Sequence, residues 1–193
     1  MPVENGSGKW PPEKKIKVAR EPISFNDDDL EGTIQPNNDA LMVSARIKGF
    51  LVKWVMVDQG SGADVMYPDL FRGLELKKED LSRYDTPLVG FDGHVVIPEG
   101  QISLLVNMEG KEVTVAFIVI ASFSPYTAIL GRPWIHAIGV IPSTLHMKIK
   151  FLTKQGIVVV RGSQQVAKQC LEATVDWKHK QAKQKDTIKE ASL

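Results

Sequence analysis

Between residues 37 and 162 the sequence is a succession of short apolar segments separated by turns, and this pattern restricts the fold more than any other feature. Every second residue from 41 to 47 is apolar, as in a strand with one buried side. Residues 50–57 are more uniformly apolar and are predicted to be buried on both faces. Dipeptides typical of turns between strands follow at Lys48-Gly49, Asp92-Gly93 and Glu109-Gly110. An all-β domain is therefore predicted over residues 37–162.

Two short helices and two tails complete the predicted organisation. Residues 68–73 and 132–139 each carry a proline near the start and a glycine at the end, as short helices do. Residues 1–36 are polar and rich in proline and glycine, whereas residues 163–193 are basic with weak helical spacing. Both tails are predicted to be disordered linkers. The acidic run at residues 27–29 is interpreted as a solvated part of the first.

The composition of the chain argues against several classes of function. Its 193 residues carry a net charge of +1, so charge gives no reason to expect nucleic-acid or membrane binding. No apolar run is long enough to span a bilayer. The single cysteine, Cys170, excludes an internal disulfide and fits a reducing compartment. The histidines are scattered without metal-ligand spacing, so no metal is predicted. The lysine-rich residues 178–189 favour a solvated linker over a nucleic-acid site.

The segment VMVDQGSGADVMY, residues 55–67, places one aspartate between a buried strand and a glycine-rich turn. A dinucleotide fingerprint would need a third glycine, and an aspartate before the turn would repel pyrophosphate. Ser61 lacks the glycine two positions earlier that a nucleophile elbow requires. Asp58, followed by Gln59 and Gly60, fits the Asp-x-Gly arrangement of aspartic proteases, in which the glycine N–H helps to hold the carboxylate. A strand-end aspartate that merely caps a turn is the alternative.

Two later segments favour the protease interpretation. AILGRPW, residues 128–134, contains two apolar residues followed by a glycine, about seventy residues after Asp58. In pepsin-like folds a strand with this apolar-apolar-glycine pattern packs against the catalytic loop. LVGFDGHVVIPEG, residues 88–100, lies between them, where a flap hairpin belongs.

With these segments in this order, the sequence resembles the retropepsin-type aspartic protease of plant gypsy-type LTR retrotransposon polyproteins. The matching stretches are residues 38–74, 86–104 and 126–162, about two-thirds of the chain. The resemblance implies a retropepsin-like closed β-barrel. It also implies roles for particular residues: Asp58 as the catalytic aspartate; Gln59, Gly60 and Ser61 as the active-site loop; Gly90, Phe91, Asp92, Gly93 and His94 as the flap that contacts substrate; and Ile129, Leu130 and Gly131 as the support of the loop.

The function that the resemblance implies is an aspartic endopeptidase that processes a retrotransposon polyprotein. One Asp-x-Gly motif per chain implies a homodimer, so the expected partners are a second copy and a polyprotein peptide. No cofactor, metal, nucleic acid or membrane is expected, and the expected location is the cytoplasm, including virus-like particles. Gln59 stands where most retropepsins have threonine or serine. The alternative is therefore an inactive retropepsin-fold module for dimerisation or peptide binding.

Overall fold

The computed structural model describes residues 22–90 and 93–190. The strands, in chain order, are β1 (Met42–Ile47), β2 (Phe50–Val57), β3 (Asp64–Met66), β4 (Leu88–Val89), β5 (Val95–Val96), β6 (Gly100–Met108), β7 (Lys111–Val119), β8 (Ala128–Leu130), β9 (Ile141–Ser143), β10 (Lys148–Thr153) and β11 (Gly156–Arg161). The helices are α1 (Pro68–Gly73), α2 (Arg132–Ile138) and α3 (Gln164–Glu190), with 3-10 turns at Asp27–Leu30 and Lys78–Asp80.

Six strands close into a barrel in the order β1-β2-β8-β3-β7-β6. Because side chains alternate along a strand, one face of each strand points inward and builds the core. Residues of the barrel, of α2 and of β10 share this core, among them Val43, Ile47, Val55, Val57, Val106, Phe117, Leu130, Trp134, Ile149 and Phe151. The closed and largely β architecture confirms the predicted fold class, with three helices where one or two were expected.

Two of the predicted turns join antiparallel strands as the sequence indicated. Lys48 and Gly49 have φ of 53° and 84°, and Glu109 and Gly110 have φ of 47° and 85°. Positive φ at both central residues matches the right-handed twist of the strands that flank such a turn. The second turn connects β6 to β7, which pair from Gly100↔Val119 to Met108↔Lys111 and form the longest hairpin of the barrel.

The prediction that residues 50–57 are buried on both faces is wrong. Val52, Val55 and Val57 are buried, whereas Phe50, Leu51 and Lys53 are exposed. The pairing of β1 with β2 is irregular between Val43 and Ala45, and Trp54 has a φ of 64°. The strand is therefore an ordinary barrel strand with one buried face and a bulge, and its apolar outer residues do not lie in the core.

The N-terminal acidic run is packed on the sheet β9-β10-β11 and is not fully solvated. The Asp29 carboxylate lies 2.7 Å from Lys150 Nζ, with side-chain exposures of 13% and 12%. The hydrogen bond from Lys150 lowers the pKa of Asp29. The ring of Phe25 stacks on His146, with centroids 5.0 Å apart. Residues 22–36 thus contact the domain that was predicted to begin at residue 37, and residues 1–21 lie outside the described part of the chain.

The C-terminal residues predicted as a disordered linker form helix α3 from Gln164 to Glu190. Ala167 and Cys170 are buried against Met42 on the outer side of β1, with Trp54, Met56 and Tyr126 packed around them. The buried residues of α3 lie in its first turns, and farther along Trp177 stacks on Phe123 with ring centroids 4.9 Å apart. These apolar positions are too few and too widely spaced for the sequence pattern to predict a docked helix. Among the described residues, no helix is long and apolar enough to cross a membrane.

Candidate active site

Asp58 follows directly on the last residue of β2 and is held there by the backbone. Its N–H donates to the Leu130 carbonyl over 3.0 Å, which continues the parallel pairing of β2 with β8. Its side-chain Oδ1 accepts the N–H of Gly60 over 2.8 Å. A bond from this glycine is predicted by the sequence motif, and it is present. The half-buried carboxylate is therefore presented at the strand end in a defined orientation.

Gly131 explains why the support segment can approach the loop so closely. A Cβ at this position would lie 2.4 Å from the Ala63 carbonyl oxygen and 2.9 Å from that of Ser61. The next residue, Arg132, donates its N–H to the Ser61 carbonyl over 3.0 Å. The structure thus brings the predicted support residues Leu130 and Gly131 against the loop, and Ile129 lies in the same strand, β8.

Ser61 bonds Asp58 through its backbone, since its N–H donates to the Asp58 carbonyl over 3.3 Å. The Ser61 hydroxyl donates to the Ala63 carbonyl over 2.7 Å, so it stabilises the turn rather than the carboxylate. Gln59 is exposed. Its side chain is therefore accessible to a second molecule that approaches Asp58.

The predicted flap is a hairpin made of β4 and β5, which pair as Leu88↔Val96 and Val89↔Val95. At its turn, Gly90 donates to the His94 carbonyl over 2.9 Å and Gly93 donates to the Gly90 carbonyl over 3.0 Å. Phe91 and Asp92 lie outside the described residues. Apolar side chains are exposed along the hairpin and just after it: Val89, Val95 and Ile97.

Two tyrosines near Asp58 were missed by the sequence analysis. Tyr67 and Tyr126 form an edge-to-face pair with ring centroids 6.2 Å apart. Burial raises the pKa of both phenols, and the nearby Asp58 charge raises them further. The two rings therefore lie within electrostatic reach of the candidate catalytic carboxylate. Each follows or precedes a short strand, and nothing in its local pattern distinguishes it from an ordinary strand-end aromatic.

A second carboxylate behind the loop was also missed. Asp64, the first residue of β3, is 2% exposed and accepts the Gly131 N–H over 2.7 Å. Burial raises its pKa to about 6, against the opposing effect of hydrogen bonds from the backbone of Gly131 and Trp134. The available signal was a charged residue inside the apolar run ADVMY. Such a residue is rarely buried without a specific partner.

Within residues 22–90 and 93–190, no group of three or more histidine, cysteine, aspartate or glutamate side chains could hold a metal ion. The side chains described at the loop that can take part in chemistry are the Asp58 carboxylate and the two phenols nearby.

Comparisons with known proteins concern the fold. No protein-family model matches the chain, and no curated protein matches it. The retroviral protease-like domain of Ddi1 from Leishmania major matches with 19% identity and a TM-score of 0.51, over 66% of this chain and 96% of that one. The EIAV protease in complex with the inhibitor HBY-793 matches with 17% identity and a TM-score of 0.46, over 57% and 98%. A retropepsin-like aspartic protease from Rickettsia conorii matches with 17% identity and a TM-score of 0.41, over 62% and 80%.

The match to the Ddi1 domain covers nearly the whole of that domain. It agrees with the closed barrel of this chain. The chain therefore has a retropepsin-like fold.

Proposed function

We propose that the chain is an aspartic endopeptidase in which Asp58 is the catalytic residue. The observation that carries this proposal is the geometry at the end of β2. The Asp58 carboxylate is fixed by the Gly60 N–H at 2.8 Å and is half-buried, and within residues 22–90 and 93–190 no ion pair to it is found. An aspartate that merely caps its own turn would satisfy the first observation. It would not require the close support of Gly131 behind the loop.

The active species is a homodimer, because the proposed chemistry needs two carboxylates and the chain has one Asp-x-Gly loop. Two Asp58 side chains meeting at a two-fold axis would share one proton, since two like charges that close do not both ionise. The exposed Gln59 beside Asp58 then contacts the second copy. Gln59 replaces a shorter hydroxyl residue, and an amide can still both donate and accept a hydrogen bond at such an axis.

Peptide hydrolysis follows from this pair. The ionised Asp58 takes a proton from a water molecule as the water oxygen attacks the carbonyl carbon of the peptide. The protonated Asp58 of the second copy gives its proton to the carbonyl oxygen. When the C–N bond breaks, the leaving nitrogen receives a proton from the carboxyl group that took one from water. A hydroxyl of the tetrahedral intermediate gives its proton back to the Asp58 of the second copy as the carboxylic acid product forms, so the pair returns to its starting state. Because one proton must be shared, activity falls on both sides of a mildly acidic window.

The substrate is a polyprotein, and the source is a gypsy-type retrotransposon. This finer proposal rests on the resemblance of residues 38–74, 86–104 and 126–162 to that family. The flap hairpin and the loop would hold the polyprotein as an extended strand, since backbone hydrogen bonds to a strand do not depend on its side chains.

A cleavage assay with a matched pair of variants tests the function. Purified chain is incubated with a peptide library between pH 4 and pH 8, with and without pepstatin, and the products are identified by mass spectrometry. We expect cleavage by the wild type and by Asp69→Asn, an exposed acid of α1. We expect none by Asp58→Asn. Cleavage by pure Asp58→Asn would refute the assignment.

The same material tests the alternative module. Sedimentation across a range of protein concentrations reports self-association, and peptide binding to Asp58→Asn reports the groove without turnover. A wild type that dimerises and binds peptides but cleaves none of them would establish the inactive module. An active wild type that sediments as a monomer would overturn the homodimer.

A further inference from the structure

Asp64 is a buried carboxylate that the proposed chemistry does not use. It is 2% exposed, and with Lys148 it makes up the buried polar or charged side chains of the described residues. Lys148 lies beside the Asp29 carboxylate. The bonds made by Asp64 go instead to backbone N–H groups, at Gly131 over 2.7 Å and at Trp134. Burial of such a group is unfavourable, so its bonds must be specific to be tolerated.

The position of Asp64 connects three segments that meet at the catalytic loop. The loop enters from β2 at Asp58 and leaves into β3 at Asp64. The support segment, residues 130–132, crosses behind the loop and is bonded to it on both sides. Asp58 N–H donates to the Leu130 carbonyl over 3.0 Å, and Arg132 N–H donates to the Ser61 carbonyl over 3.0 Å. Between these two residues, the N–H of Gly131 donates to the Asp64 carboxylate.

A carboxylate is better suited to accept these backbone N–H groups than the side chains that resemble it in shape. Two oxygens can accept from two N–H donors at once, whereas an asparagine offers one oxygen and turns an NH₂ group toward a donor. A leucine of similar size offers none and would leave the Gly131 N–H buried without a partner. No cationic side chain is among the causes of the pKa shift of Asp64, so charge pairing does not explain its presence.

We infer that Asp64 is a positioning residue that fixes the support segment, and through it the Asp58 carboxylate, in the geometry needed for catalysis. It does not touch the reacting atoms. It clamps Gly131, and the bonds of Leu130 and Arg132 on either side carry this constraint to the loop. The kinetic part of the inference rests on the proposed function, whereas the structural part does not.

Amide hydrogen exchange in the intact chain, followed by NMR, tests the structural part. The reporters are the N–H groups of Asp58 and Arg132, and the reference is the set of amides that pair β6 with β7. In Asp64→Leu we expect the reporters to exchange at least tenfold faster relative to the reference than in the wild type. In Asp64→Asn, which keeps one acceptor, we expect a smaller change in the same direction.

Lys148→Met is the matched control, because it removes a buried charged group from β10, away from the catalytic loop. This variant lowers overall stability. The ratio of the exchange rate of the Asp58 and Arg132 N–H groups to that of the reference amides should nevertheless stay within twofold of the wild-type ratio. An unchanged ratio in Asp64→Leu would overturn the clamp. If Asp64→Leu does not fold, Asp64→Asn gives the same decision.

Kinetics on the same variants test the catalytic consequence. A misplaced carboxylate lowers kcat more than it raises KM, because the loss appears in the reaction step. We expect kcat of Asp64→Asn to fall at least tenfold with KM within threefold, and Lys148→Met to keep both. Changed exchange with unchanged kcat would overturn the catalytic role alone. An inactive wild type would contradict the proposed function and leave the exchange result to decide the clamp.

Discussion

The catalytic loop and the flap are both glycine-containing turns, yet the barrel holds them very differently. The loop at residues 58–62 is bonded across the chain to Leu130 and Arg132, and Gly131 packs directly on its backbone. The backbone bonds at the flap turn join Gly90 with its own neighbours Gly93 and His94. A Cβ at Gly93 would meet nothing within 4 Å. The loop is bonded to distant parts of the sequence, whereas the backbone bonds of the described flap residues Gly90 and Gly93 stay within the flap turn.

This difference matches what each turn would have to do in the proposed peptidase. The position of a catalytic carboxylate must be fixed to within a fraction of an ångström, and contacts from several elements help to fix it. A flap must admit and release an extended peptide, so it should open at low cost. An isolated two-stranded hairpin is marginal in water. Leu88 and Val96 anchor its base to the small cluster around Val65 and Ile118.

The largest expected effect comes from adding a methyl group to Gly131, which packs on the backbone of the loop. In Gly131→Ala the added Cβ would lie 2.4 Å from the Ala63 carbonyl oxygen, a backbone atom that cannot shift as cheaply as the end of a flexible side chain. We expect a loss of about 3 kcal/mol or more in the free energy of unfolding, by analogy with overpacked cores. Urea denaturation measures it. A loss below 1 kcal/mol would show that the loop is less tightly packed than its contacts indicate.

The second effect is a dependence of stability on pH that comes from Asp64. Burial raises the pKa of Asp64 from 3.8 to about 6, so between these values the folded chain binds more protons than the unfolded chain. Stability therefore falls as pH rises through this window, by up to about 3 kcal/mol, and is level above it. Asp64→Asn has no titratable group at this position, so its free energy of unfolding lacks this dependence on pH. Denaturation of both proteins at pH 4 and pH 7.5 measures the difference, and parallel changes in both would refute it.

The sequence predicted the loop better than its surroundings for a physical reason. Asp58 and Gly60 belong to one short motif, Asp-x-Gly, and Gly131 occupies a position where the nearby backbone leaves no room for a side chain, so local sequence reveals all three. Asp64 owes its role to an N–H about seventy residues away, which no local pattern encodes. The same holds for Asp29, whose partner Lys150 lies on another element, and for α3, whose partners are the outer residues of β1 and β2.

The third effect tests the flap with the same chemical change as the first. Gly93 has a φ of 77°, where an alanine is strained by roughly 1 kcal/mol. Because the hairpin contributes little to the core, we expect Gly93→Ala to lower the free energy of unfolding by less than about 1 kcal/mol. Urea denaturation of Gly93→Ala and Gly131→Ala under the same conditions gives the ratio of their losses in the free energy of unfolding. A loss equal to that of Gly131→Ala would mean that the flap is as firmly built into the fold as the loop.

The smallest effect on stability should accompany a clear effect on substrate binding. Ile97 is 79% exposed just after β5, so Ile97→Ser removes little buried area and should change the free energy of unfolding by less than about 0.5 kcal/mol. If the flap closes over a peptide, this side chain becomes covered, and its loss raises KM severalfold with kcat little changed. Leu105→Ser is the matched control, since Leu105 is an exposed residue of β6 at 47%. Equal KM values for the two variants would show that the exposed apolar side of the flap does not contact the substrate. The loop and the flap would then differ in how they are packed, but the flap would have no demonstrated role in substrate binding.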